Sequence, residues 1–525
     1  MAMARRLAAA AIVARANLTP FERPDRLPKA MLAMRPWGTT LAGVVAAAAA
    51  RYPDRVAVHD DVGSTTYLEL WSRVQLIAGG LASRGVDADA RVGLLCRNHR
   101  GFVESLVAVS ATGADVVLLN TGFAAPQLAD VVEQEDIGFV IHDDEFADLV
   151  SACGARAFDE SASDELSRSP ERIQPRRTQG RMVILTSGTT GRPKGAARGN
   201  DPSAVVGVAA LLERIPFRVG DTQVIAAPLF HGWALTNLLL GFARCTTNVL
   251  ARRFDAELTL RATARHQADV LVVVPAMLSR ILALPPEVLV SAPTTHLRVI
   301  ASSGSALGSK LAASVLDRFG LVLYNIYGST EVAIATVATP SEIRAAPATA
   351  GRRAFGVRVE ILDERGEPLP QGSVGRVFVG GSMRFEGYTT GGGKEEIRGL
   401  LSSGDLGYFK DGLLFVEGRE DDMIVSGGEN VFPIEVEELL SHHPAIADVA
   451  VVGVTDAEFG QALAAFVVPV DDAALGIEEV RAHVREHLAR HKVPRQVVFV
   501  DELPRNATGK IIRRDLVQSI DGAAA

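Results

Sequence analysis

Short, almost wholly apolar runs alternate with helical patterns over much of this chain, and few architectures accept that order. Residues 91–96 (RVGLLC), 115–119 (DVVLL) and 137–142 (IGFVIH) read as strands buried on both faces. Helical patterns over 102–111 and near 126–133 separate them. Such alternation predicts parallel βαβ units, because a parallel neighbour requires a crossover connection. Ahead of them, Thr66 and Glu69 have capping-box spacing. Leu70, Val74, Ile77 and Leu81 then share one helical face, and Gly85 is placed to end the helix. A second βα series has strands near 222–226, 247–251, 270–274, 297–302 and 321–326.

The rest of the chain departs from this rhythm. Residues 155–181 are polar, rich in Ser, Arg and Glu, without periodicity, and read as a linker. Residues 351–415 carry short β-type runs (VRVEIL, GRVFVG, GLLFVEG) between Gly and Pro turns, which predicts a small antiparallel barrel or sheet. Residues 419–422 form a charged, hinge-like stretch, and a compact α+β unit follows. Pro433 opens a helix there, with Glu435, Glu437 and Glu438 in its first turns. The expected fold class is α/β. A leader (1–41) precedes a large N-terminal domain (42–419) of two βα subdomains plus a small β-barrel-like subdomain, followed by a small α+β C-terminal domain (420–525).

Charge and cysteine usage exclude several classes. The net charge is −8 and no basic block occurs, which argues against a nucleic-acid partner. Cys96, Cys153 and Cys245 are too few and too scattered for a disulfide framework or a CxxC metal site. They read as small buried hydrophobes in a protein of the reducing cytoplasm. No apolar run is long enough to span a bilayer. Arg5 and Arg6 precede an apolar run at 7–13 that is short and mostly alanine. That favours a helical leader lying on the enzyme or on a membrane surface over a secretion signal.

The strand-like run at 182–185 feeds directly into TSGTTGRPKG. Thr186, Ser187, Thr189 and Thr190 offer hydroxyls, Gly188, Gly191 and Gly195 allow close backbone approach, and Lys194 supplies a cation. A glycine-rich turn of this kind can converge N–H groups on an anion. It is not a Walker A loop, because Lys194 follows Pro193 and precedes Gly195 instead of opening a helix after Gly-Lys-Ser/Thr.

This stretch resembles the phosphate-binding signature of the adenylate-forming superfamily, which holds acyl-CoA synthetases, peptide-synthetase adenylation domains and luciferases. Four later stretches are similar to the superfamily's elements, in order: Tyr327-Gly328-Ser329-Thr330-Glu331, Ser403-Gly404-Asp405, REDDMIVSGGENVF at 419–432, and PRNATGKIIR at 504–513. The resemblance implies a two-step ligation. A carboxylate attacks the α-phosphorus of ATP, giving an acyl-adenylate and pyrophosphate; a thiol, usually that of coenzyme A, then displaces AMP.

The same resemblance implies residue roles. Thr186 to Lys194 would hold the β- and γ-phosphates, and Lys510 would bridge carboxylate and α-phosphate. Glu331, with Thr186, would bind Mg2+, and Thr330 would bond the α-phosphate. Asp405, assisted by Arg419, would accept the ribose hydroxyls. Tyr327, beside Gly328, would lie against adenine, with Ser303, Gly304 and Ser305 lining the other side. SSGSALG stands where the superfamily commonly has SGGAPL, so the geometry of that loop is open. PLFHGWALT (228–236) resembles the acyl-pocket element, with His231 either a gate near the reacting carboxylate or a satisfied core histidine. The superfamily's peptide-synthetase domains generally place an aspartate in this element to hold an amino group; none occurs between 228 and 240, so the resemblance implies no α-amino acid substrate. Gly232, Trp233, Ala234, Val274, Ala276 and Met277 suggest an apolar pocket for a fatty or aryl carboxylate.

Between the two steps the C-terminal domain would rotate about Asp421, bringing Gly427 and Gly428 beside the pantetheine arm of CoA. The expected function is an ATP- and Mg2+-dependent acyl-CoA synthetase for medium- or long-chain fatty acids. The alternatives are a fatty-acyl-AMP ligase loading a carrier protein, or an aryl-CoA ligase. A homodimer is compatible with this reading. His483, His487 and His491, spaced four apart, are expected to be surface histidines, since no accompanying carboxylate or cysteine completes a metal pattern.

Overall fold

The computed structural model describes residues 7–13, 25–168, 172–177, 180–187, 193–198, 204–381, 387–389, 391–426, 429–456, 460–470, 475–506 and 509–523. The first βα series builds one six-stranded sheet. Arg156–Phe158, Phe139–His142, Arg91–Leu95, Asp115–Leu118 and Met182–Ser187 lie parallel in that spatial order. Pro193–Arg198 then pairs antiparallel to Met182–Ser187, with Thr186 opposite Lys194. Lys194 therefore sits on a strand rather than in a free loop. Gly188, Thr189, Thr190 and Gly191 lie outside the described residues, as do the side chains of Thr186 and Ser187.

The second series forms the parallel part of a larger sheet. Its order is Leu323–Ser329, Val299–Ser303, Val270–Val273, Thr222–Ile225, Thr247–Leu250 and Val56–Asp60. All four residues of Val270–Val273 are buried, as a strand covered on both faces requires. Beyond Leu323–Ser329 the sheet turns antiparallel through Ala333–Ala338, Thr349–Arg353, Leu413–Arg419, Leu400–Lys410, Gly375–Gly380 and Arg358–Leu362. These are the short β runs expected at 351–415. They share a small core of their own, including Val359, Val377, Phe409 and Leu414.

The C-terminal part has a five-stranded sheet built on the hairpin Ile446–Asp456 and Gly460–Pro469. Helices Pro433–Ser441 and Ile477–His487 cover one face through Val436, Leu440, Val480 and Val484. This smaller domain docks on the larger one. The helix Ser309–Phe319 has no side-chain cap of its own; Glu438 takes that place, accepting from the Ser309 backbone N–H at 3.0 Å and from its hydroxyl. Lys310 donates to the Ser441 carbonyl.

Local signals explain most boundaries. Thr66 and Glu69 form the expected reciprocal capping box, and Leu70, Val74, Ile77 and Leu81 are all buried. One expectation needs correction. The stretch 155–181 is not all linker: it contains the strand Arg156–Phe158 and the helix Glu160–Leu166. That helix packs Leu166 against Gly80 and Ala162 on the core, and makes ion pairs of Asp164 to Arg73 and Glu165 to Arg84. So short a helix gives little periodicity to read. The leader lies on the enzyme, one of the two placements expected for it. Residues 7–13 are helical, with Ala9 buried against Val206 and Ala209. Trp37 is buried edge-on to Trp71. Among the described residues, no helix is long and apolar enough to cross a membrane.

Candidate active site

Parallel strands of an open sheet deliver their loops to one edge, and ligands bind there. Here the turns after Thr222–Ile225, Val270–Val273, Val299–Ser303 and Leu323–Ser329 carry His231, Val274, Gly304 and Glu331. The lysine loop of the C-terminal domain reaches this edge. A Cβ added to Gly509 would lie 2.6 Å from the Ala276 Cβ and 3.7 Å from Val274.

Asp405 and Arg419 face each other on adjacent antiparallel strands. Their side chains are 14% and 40% exposed, and Nη1 stands 3.6 Å from Oδ1. The backbone bends into this pair at Gly404, where φ is +77° and a side chain would press on the Arg419 guanidinium at 3.1 Å. Tyr327 donates its hydroxyl to the Asp405 Oδ2 at 2.6 Å. Burial raises the Asp405 pKa, while Tyr327 and Arg419 hold it back. Burial, then the Asp405 charge, pushes Tyr327 well above its ordinary value. Arg419 also donates to Asp421 at 3.1 Å, so the hinge-like residue touches the same network.

Glu331 follows a strand whose register slips between Tyr327 and Gly328. A Cβ on Gly328 would lie 1.8 Å from the Ala333 carbonyl oxygen, so only glycine fits. Glu331 accepts from the Ser329 hydroxyl at 2.8 Å and from the Tyr388 hydroxyl at 3.0 Å. Thr330 lies beside it, half-buried.

Lys510 sits in a turn closed by Asn506, whose Oδ1 accepts from the Lys510 N–H at 3.0 Å. Its side chain keeps exposed surface, yet the ammonium lies in crowded surroundings. That partial desolvation, and then Arg419, lower its pKa, while Asp405 and Glu331 oppose the shift. The same ammonium acts on His231, whose Nε2 is shut off from solvent without a hydrogen bond. Burial, then Lys510, lower His231 to about 4. His231 thus keeps a buried ring nitrogen without a partner among the described residues, and its surroundings favour the neutral imidazole.

The neighbouring walls are apolar. Trp233 donates its indole N–H to the Val273 carbonyl at 3.2 Å, which fixes the ring. Ile184 lies 3.5 Å from where a Gly232 Cβ would stand, and Val274 3.4 Å from that of Gly304. Ser303 donates to the Ile326 carbonyl at 2.8 Å, Gly304 has φ +100°, and Ser305 follows half-buried. Gly427 and Gly428 lie outside the described residues. The His483 and His487 rings lie 4.6 Å apart, tilted by 43°, on one helix, but His491 lies beyond it on the separate turn Arg490–Lys492.

Sequence reasoning missed Tyr388, Thr389 and Glu135. Thr389 donates to the Gly195 carbonyl at 2.9 Å through its N–H, and to the buried Glu135 at 2.6 Å through its hydroxyl. The Lys194 ammonium lies over the Tyr388 ring, 5.4 Å from its centre. No motif announced them; GYTTGGGK reads only as a glycine-rich turn.

The residues fit a magnesium nucleotide. Lys194 and Lys510 are cations that could meet phosphates, and Arg419 stands beside Asp405. Asp405 has acceptor capacity left for ribose hydroxyls after its bond to Tyr327. Glu331 offers hard oxygens for Mg2+, and that ion typically completes its shell with phosphate and water instead of a protein cage.

Comparison with known proteins agrees. The AMP-binding enzyme family matches residues 45–389, and the AMP-binding enzyme C-terminal domain matches 435–510. Feruloyl-CoA synthase from Amycolatopsis sp is 33% identical over 478 residues, covering 88% of this chain and 96% of that protein. ATP-bound MatB from Rhodopseudomonas palustris superposes with a TM-score of 0.83 at 26% identity, over 92% of this chain and 100% of the other. The o-succinylbenzoate CoA synthetase from Bacillus subtilis, in complex with its acyl-adenylate intermediate, gives 0.80 at 27% identity, over 90% and 97%. The chain belongs to the AMP-binding enzyme family and, within the adenylate-forming superfamily, to its acyl-CoA synthetase branch.

Proposed function

We propose that this chain is an aryl-CoA ligase, an AMP-forming acid–thiol ligase that uses ATP, Mg2+ and coenzyme A. The fatty-acid substrate favoured by sequence gives way to the aryl alternative. The relatives named for ferulate and o-succinylbenzoate support that change. So does one feature of the pocket: the flat Trp233 ring is pinned to the Val273 carbonyl at 3.2 Å. A fixed indole suits stacking against another flat ring.

In the first step a carboxylate oxygen bonds to the α-phosphorus and the bond to pyrophosphate breaks. An anion approaches a polyanion, so the protein's task is positioning and charge neutralisation. Lys510 would offset the charge gathering between carboxylate and α-phosphate. His231, neutral and with an open Nε2, would border the reacting carboxyl without adding charge. Asp405 and Arg419 would hold the ribose, and Lys194 the outer phosphates. Bound at Glu331, Mg2+ supplies charge neutralisation on the departing pyrophosphate. In the second step the CoA thiolate attacks the acyl carbon and AMP leaves. The Lys510 loop would then withdraw, with Asp421 as the hinge.

A panel of benzoate- and cinnamate-type acids against C8 to C16 fatty acids, with ATP and Mg2+, with and without CoA, tests this reading. CoA-dependent aryl thioester is the expected product. Preference for fatty acids would restore the earlier substrate, and adenylate that ignores CoA would favour a carrier-protein acceptor.

A further inference from the structure

We propose that Tyr388 is a positioning residue that fixes the spacing between the Glu331 carboxylate and the Lys194 ammonium. The inference rests on the reading above, in which Glu331 serves Mg2+ and Lys194 the outer phosphates. These two groups belong to different elements. Lys194 stands on a strand of the six-stranded sheet, and Glu331 follows a strand of the large one. Neither sheet dictates their separation.

Tyr388 touches both. Its hydroxyl donates to the Glu331 Oε1 at 3.0 Å, and its ring lies beneath the Lys194 ammonium. The residue is itself held. Tyr388 forms an antiparallel bridge with Ala196, two residues past Lys194. Next to it, Thr389 bonds the Gly195 carbonyl through its N–H and Glu135 through its hydroxyl. Glu135 is fully buried, and a Gly195 Cβ would meet both Glu135 Oε1 and the Thr389 hydroxyl at 2.6 Å. The tyrosine is thus tied by backbone and neighbour to the hairpin whose lysine it contacts.

A metal–triphosphate complex must meet carboxylate and ammonium together, and pre-set spacing lowers the ordering needed on binding. Only one edge of Glu331 is used by Tyr388; the Ser329 hydroxyl holds the other oxygen.

The test compares Tyr388→Phe, which keeps the ring and loses the hydroxyl, with Tyr388→Leu, which loses both contacts. The readouts are Mg·ATP binding by calorimetry without acid, the Mg2+ dependence of adenylate formation, and thioester formation from supplied acyl-adenylate. Tyr388→Phe should raise the half-saturating Mg2+ about tenfold, as for a lost bond to a charged group. Tyr388→Leu should weaken Mg·ATP further, and both variants should keep the wild-type acid KM and thioester step. Glu331→Gln separates the two layers. If it shifts Mg2+ dependence and Tyr388→Phe does not, the positioning role is overturned. If Glu331→Gln shifts nothing, the metal reading fails. In the Glu331→Gln background, Tyr388→Phe should add no further Mg2+ effect; an undiminished effect would also overturn the proposal.

Discussion

Asp405 and Arg419 stand directly opposite one another on neighbouring strands, with Oδ1 and Nη1 3.6 Å apart and the Tyr327 hydroxyl 2.6 Å from the other oxygen. The carboxylate is held but not saturated, which suits it to accept ribose hydroxyls. Asp405→Asn should therefore raise the KM for ATP about tenfold to hundredfold, the range for losing charged hydrogen bonds. The pH dependence has a definite sign. Burial raises the Asp405 pKa above 3.8, so ionisation is lost at a higher pH than for a surface aspartate. The KM for ATP should climb early on acidification, and in Asp405→Asn that climb should vanish. The same shift opposes folding when the group is charged. Its penalty is full above the folded pKa and disappears below the ordinary value. Steady-state ATP titrations across pH check the first claim, and denaturant melts the second.

His231 carries the opposite linkage. Its folded pKa is about 4 against 6.5 for a free imidazole. Between those values the unfolded chain takes up a proton that the folded chain refuses. Stability from this group is present above pH 6.5 and falls as pH drops toward 4. Urea melts of wild type and His231→Asn should diverge in slope over that window and run parallel above it. Parallel curves throughout would mean that the imidazole is not held neutral.

In the proposed reading Trp233 walls the acid pocket, its ring held by the Val273 carbonyl. Trp233→Ala should remove the fixed ring while leaving the nucleotide site untouched. The ratio of kcat/KM for aryl over long-chain alkyl acids should fall by about tenfold or more, as for a lost aromatic wall. The KM for ATP should stay near wild type. An unchanged ratio would remove Trp233 from the acid pocket.

Much of this architecture was legible because its signals are local. Parallel strands buried on both faces write continuous apolar runs, and the Thr66–Glu69 box marks a helix start without tertiary help. Asp405 and Arg419 could be picked by motif, and the register places them together. What escaped depends on contacts distant in sequence. Nothing in GYTTGGGK says that Tyr388 meets Glu331, 57 positions earlier. The helix Glu160–Leu166 reads as linker because it is short and polar, held by Leu166, Ala162 and two ion pairs. The cap that Glu438 gives the helix at Ser309 crosses two domains, so capping rules within one segment cannot find it.

Gly509 offers a test of Lys510 that leaves the lysine in place. Its φ is +75°, which disfavours any side chain, and its missing Cβ would stand 2.6 Å from that of Ala276. Both atoms of that clash are rigid, so Gly509→Ala should keep the lysine loop from seating at the pocket edge. The ammonium would then lie away from Glu331, Asp405 and His231, whose charges and crowding now act on it. Adenylate formation should drop toward the level of Lys510→Ala, about a hundredfold or more if the lysine works by charge stabilisation. Thioester formation from supplied acyl-adenylate should survive in both variants, because that step does not need the loop docked. Rapid-quench measurement of the two half-reactions separates these outcomes. Equal loss of both steps in Lys510→Ala would remove the lysine from its assigned role. Full adenylation by Gly509→Ala would show that Lys510 reaches the α-phosphate without this docked contact.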